Sequence, residues 1–127
     1  MENNTIFLIS VFLVMLIALE HIVICGLEIF ASPEKQANMF DMPLEYVKKQ
    51  ETRISMANQG IYNGMLGITI LLSYFVFSNN PAVLIHVWQL LMLFIIVVGA
   101  FGGFTATKKI FFVQMLPALI ALILLFL

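Results

Sequence analysis

Charge is scarce in this sequence: Asp, Glu, Lys and Arg make up only 10% of it, and the formal net charge is −1. Soluble domains carry about 25% charged residues. No basic stripe with interleaved aromatics is present, which excludes the usual grip on nucleic acid. Cysteine is nearly absent as well, and the single Cys25 permits no intrachain disulfide. The opening "MENNTIF" lacks a basic segment, the apolar run after it is too long, and no small-residue cleavage site follows. The N-terminus therefore does not read as a signal peptide. Cys25 follows the bulky Ile24 deep within that run, which argues against a lipoprotein box. Phosphate-loop, dinucleotide-glycine and nucleophile-elbow patterns are missing. His21, His86 and Cys25 lack metal-ligand spacing, and the eight methionines are scattered, so neither a metal nor a cofactor is expected.

What the chain has in excess is hydrocarbon. It is 62% hydrophobic, with a mean hydropathy of +1.07, where soluble domains are about 45–50% apolar. About 20 apolar residues as helix cross a membrane core. Stretches at roughly 5–30, 55–77, 82–104 and 110–127 qualify, so a single transmembrane domain over 1–127 is expected, with the lipid bilayer as its surroundings. "SNNP" (78–81) and "TATKK" (105–109) read as tight connections. The connection 31–54 holds most of the charge and reads as an amphipathic interfacial segment. Within it, Ser32 is the expected N-cap before Pro33, Asp41 offers a second helix start, and Glu45 and Lys49 have i,i+4 spacing. The expected fold class is all-α: an integral membrane four-helix bundle with that interfacial segment between helices one and two.

All six basic residues (Lys35, Lys48, Lys49, Arg53, Lys108 and Lys109) fall in the first and third connections. The positive-inside rule places those connections in the cytoplasm and both termini outside, in a multi-pass cell-membrane protein.

The polar residues of the spans then acquire depths. Glu28, Gln59, Asn63 and Gln114 fall in the cytoplasmic half, while Glu20 and His21 lie deeper. His21 and Glu28 are seven residues apart, on one helical face and roughly 10 Å apart along the axis. An ionised glutamate in mid-membrane costs about 2.5–3.5 kcal/mol, so Glu20 is expected neutral, paired or facing water. Adjacent helical residues point in different directions, so Glu20 and His21 do not pair directly; His21 and Glu28 need a bridging group from another span. Gly60, Gly64 and Gly67 make one small-residue stripe, and Gly99 and Gly103 belong to another, both suited to close helix packing. Trp88 fits an interfacial aromatic belt, and Pro117 is expected to kink the last span.

Three functions fit these residues. The leading one is a protein that binds, or helps to transport, a small molecule or ion at an inner-half pocket of His21, Glu28, Gln59, Asn63 and Gln114. Transport would call for a homodimer or larger assembly. The second is a membrane-embedded enzyme using a Glu/His pair for acid–base chemistry on a lipid or isoprenoid. The third is a structural or accessory subunit in which amides and glycines serve packing alone.

The stretches "HIVICGLEIF", "NQGIYNG" and "GAFGGFTATKKIFFVQMLPAL" together resemble the family known as Domain of Unknown Function 1304, over nearly the whole chain. The family's first motif runs His-x-Tyr-Ile-x-x-Leu-Glu-x-Phe, and Val23 stands here where it has tyrosine. The matching positions are His21, Leu27, Glu28, Phe30, Asn58, Gln59, Gly60, Tyr62, Asn63, Gly64, Gln114, Pro117 and Ala118. The resemblance implies a four-helix fold in a bacterial inner membrane and carries no established activity.

Overall fold

The computed structural model describes residues 2–127, with side chains from Asn4 onward; Met1, the first residue of the expected domain and outer terminus, lies outside them. The described chain is all-helical. Its elements are α1 (Glu2–Phe30), α2 (Pro33–Met39), α3 (Leu44–Val47), α4 (Gln50–Val76), α5 (Pro81–Thr105), a π-helical turn (Phe111–Met115) and α6 (Leu116–Leu124). Two helices, α1 from Asn4 and α5, are long and apolar enough to cross a membrane, with mean hydropathies of 2.6 and 2.4. α4 is as long, but Gln59, Asn63 and its charged first turns dilute it. The run Phe111–Leu124 is apolar but short.

Glycine decides which helices touch. A Cβ at Gly60 would lie 3.0 Å from the Cβ of Glu28, and one at Gly64 would lie 2.6 Å from Cys25 Sγ. At Gly67 it would collide with the carbonyl oxygen of Ala18. α1 and α4 thus meet backbone to backbone over two turns, a contact only glycine allows. On the other side of the molecule, Gly99 faces Met115 and Gly103 faces the ring of Phe111, so α5 lies against the π turn and α6. α6 also packs on α1.

An apolar core of Val14, Ile17, Ile70, Leu84, Trp88, Met92 and Ala121 fills the half of the molecule nearest the α4–α5 turn. Trp88 is fully buried in it, rather than lying in an outer aromatic belt. Its indole Nε1 donates to Ser73 Oγ at 2.8 Å and its ring stacks on Tyr74. A hydroxyl partner across the turn makes burial cheaper than an interfacial position. Meanwhile Phe12, Phe75, Phe101, Phe112 and Phe126 point outward. The outside is thus as oily as the core, and His21, Ser10, Gln36 and Ser73 are buried within, which departs from the usual arrangement in water.

The first and third connections lie together at the opposite end. Ser32 caps α2 by accepting from Lys35 N–H, with Pro33 in the first turn. Asp41 does not cap a helix. It takes a left-handed conformation (φ 52°) and reaches across to Lys109 Nζ at 2.8 Å and to the Thr107 hydroxyl. The expected Glu45–Lys49 pair is broken because the chain extends at Lys49, which precedes α4; Glu45 instead lies 3.8 Å from Lys48 at the surface. Val47 turns fully inward.

Gln36 ties this end together. Its Nε2 donates to the carbonyls of Leu27 (3.0 Å) and Glu28 (2.9 Å), and its Oε1 accepts from Arg53 Nη1 at 3.2 Å. One side chain thereby satisfies the Glu28 carbonyl that the end of α1 leaves open and adds a second donor to the Leu27 carbonyl, which also accepts from Ala31 N–H.

The Asp41 clasp is sensitive to acid. The Lys109 ammonium first, and the Thr107 hydroxyl second, hold its carboxyl below the ordinary carboxylate range. A carboxyl lowered in the folded state contributes fully above its unfolded pKa of about 3.9, and the contribution fades as pH falls through the lower folded value. Amide exchange at residues 105–110, corrected for intrinsic rates, should therefore accelerate relative to α5 at pH 3 compared with pH 6. Asp41→Asn should produce the same local loosening at neutral pH. Equal protection in all three samples would show that the clasp contributes nothing.

Candidate functional site

α4 and α5 touch at their shared turn, through Ser73, Tyr74 and Trp88, and part toward the basic end. The space between them is a cleft of about 150 Å³. α4 lines it with Gln59, Tyr62, Asn63 and Leu66, and α5 with Phe94, Ile95 and Val98. His21 of α1 forms part of the wall, and Gln114 enters from the π turn. The i,i+4 pair Gln59 and Asn63 reaches the cleft from one helical face, as that spacing dictates.

Gln114 arrives by a different route. Pro117 has no N–H to return to the preceding turn, and the chain responds just upstream by widening, so that Leu116 N–H bonds to the carbonyl of Phe111. This wider turn sets the direction of Gln114, and π turns of this kind recur at functional sites. The expected kink at Pro117 thus takes the form of a π turn.

His21 is only 2% exposed. Its Nδ1 lies 2.8 Å from the carbonyl oxygen of Ile17. A carbonyl can only accept, so Nδ1 carries the proton and, in the neutral ring, Nε2 keeps a lone pair. Nε2 has no partner among the described residues.

Glu28 does not line the cleft; it lies behind it. Asn63 Nδ2 donates to Glu28 Oε2 at 2.8 Å, so Asn63 stands between the carboxylate and the cleft. The expected bridge between His21 and Glu28 does not form: Asn63 of α4 bonds to Glu28 alone, and the His21 side chain bonds only to the Ile17 carbonyl. Gln59 and Gln114 make no side-chain hydrogen bond among the described residues. Glu20 stands apart, half-buried, and its Oε1 is enclosed without a partner among the described residues. Gly60, Gly64, Gly67, Gly99 and Gly103 lie at helix contacts and not at the cleft. No group of three or more His, Cys, Asp or Glu side chains among the described residues could hold a metal ion.

Sequence reasoning missed Tyr62 and Phe94 as lining of the cleft, and Gln36 as the side chain that ties the basic end together. Gln36 sits in a charged connection, where an amide carries no signal of burial. Tyr62 lies within the same "NQGIYNG" run as the recognised amides.

These features define an all-helical protein with an apolar exterior and a largely apolar cleft between two of its helices, into which His21, Gln59, Asn63 and Gln114 bring polar groups. The chain belongs to the DUF1304 family of proteins of unknown function, whose model matches residues 15–126. It is 34% identical over 117 residues to the uncharacterized protein YpaA of Lactococcus lactis subsp. lactis (strain IL1403), covering 91% of this chain and 95% of that protein. No solved structure matches it.

Proposed function

We propose that this chain is a four-span membrane protein that binds a small polar molecule or ion in the cleft between α4 and α5. Both termini would lie outside, with the cleft in the cytoplasmic half. The apolar exterior supports the membrane setting, since a monomer in water rarely exposes a contiguous apolar patch beyond a few hundred Å². The gathering of every Lys and Arg in connections at one end supports the orientation.

One observation carries the binding reading. His21, Gln59, Asn63 and Gln114 converge on one cleft, and among their side chains only Asn63 spends a hydrogen bond on another helix. Amides serving packing alone would bond across the helix contacts; Gln59 and Gln114 do not. Polar groups held apart around a space are suited to a ligand that completes their bonds. Beyond the cleft, Val14, Ile17, Trp88 and Met92 close the core, so moving a ligand across would require a second copy or a rearrangement.

The test uses Gln59→Leu/Gln114→Leu, which removes two amides that support nothing else in the fold. Native mass spectrometry of gently extracted wild type should show a retained small molecule that the double variant has lost, with both melting within a few degrees of each other. Two folded proteins carrying only bulk lipid would remove the binding reading.

A further inference from the structure

From the polarity of the cleft wall we infer the ligand class: a small organic cation, an ammonium group on a short apolar body. This inference rests on the binding reading above and adds the sign of the charge. The Ile17 carbonyl fixes the proton of His21 on Nδ1, so Nε2 meets the cleft as an acceptor. Glu28 acts on Asn63 in the same sense. With Glu28 ionised, its carboxylate only accepts, so the Asn63 amide turns Nδ2 toward it, as the 2.8 Å bond has it, and leaves Oδ1 unpaired.

Two oriented acceptors therefore border the cleft, with a carboxylate one amide behind them. Among the described residues, no lysine or arginine lines the cleft to balance that charge. An anion would find donors in the Gln59 and Gln114 amides and the Tyr62 hydroxyl but would also meet two lone pairs and a negative field, whereas an ammonium would donate to those lone pairs and to the amide oxygens and be drawn by the carboxylate. Tyr62 and Phe94 add two aromatic rings to the lining, and aromatic faces attract cations within about 6 Å. Ile95 and Val98 accommodate an apolar tail. A closed apolar cavity of about 150 Å³ holds benzene, so the body should have roughly half a dozen heavy atoms.

The experiment titrates detergent-purified full-length protein by calorimetry with three probes of one shape: butylammonium, butanol and butyrate. The variant is Glu28→Gln, whose amide oxygen still accepts from Asn63 while the charge is gone, with a melting curve to confirm the fold. Wild type should bind butylammonium at least tenfold more tightly than butanol and should not bind butyrate. Glu28→Gln should lose at least tenfold for butylammonium and leave butanol unchanged.

Butanol or butyrate binding as well as butylammonium would overturn the cation assignment. So would a preference that survives in Glu28→Gln. In either case, binding abolished by Gln59→Leu/Gln114→Leu would keep the cleft as a binding site of another polarity. No binding of any probe would also overturn the assignment, and the molecule retained in native mass spectrometry would then decide the cleft reading separately.

Discussion

Leucine at position 64 is expected to pull α1 away from α4 and to unfold the protein at a much lower temperature. The cause is steric. Even a single methyl at Gly64 would meet Cys25 Sγ at 2.6 Å and Cys25 Cβ at 3.0 Å, and leucine adds three more carbons. The helices have no easy retreat. Gly60 is pressed on Glu28 and Ile29 one turn away, and Gly67 on Ala18 and Ile22 on the other side. Overpacking typically costs about 1–3 kcal/mol, occasionally more; this site belongs at the upper end, because the contact it opens is the longest between helices. Separating the helices would also break the Asn63–Glu28 bond. Gly26 on α1 is the control, with nothing within 4 Å of its Cβ position. Gly26→Ala should be neutral or stabilising by up to about 1 kcal/mol, as expected for glycine in a helix interior. Thermal unfolding of the two variants in one detergent separates the cases, and a Gly64→Leu protein melting with wild type would refute this picture of the contact.

The features that follow from local chemistry were legible in the sequence. Ser32 followed by Pro33 specifies a helix start without tertiary help. The spacing of Gly60, Gly64 and Gly67 puts a smooth stripe on one face, and Gln59 with Asn63 puts two amides on another. Other features depend on partners far away in the chain. Asp41 looked like a helix cap until Lys109, 68 residues later, supplied a stronger partner. Trp88 looked interfacial because an indole needs somewhere polar to point; Ser73 provided that inside the core. Glu28 is expected among the pocket residues, but residue spacing along α1 says nothing about which side of Asn63 it occupies. The π turn arises from the demands of Pro117 combined with the close contact of Gly99 on Met115, and no local pattern encodes that combination.

Binding in the cleft as proposed requires these helices to lie in a membrane with the basic end in the cytoplasm. Side-specific labelling tests this most directly, and its outcome is all-or-none. In a Cys25→Ser background, one cysteine replaces Asn79 in the exposed α4–α5 turn and another replaces the exposed Glu45 in the first connection. A membrane-impermeant maleimide is then applied to intact spheroplasts and to inverted vesicles. Asn79→Cys should react only in spheroplasts and Glu45→Cys only in inverted vesicles, since the positive-inside rule assigns the two ends to opposite sides. Labelling of both positions from one side, or recovery of the protein in the soluble fraction, would contradict the account.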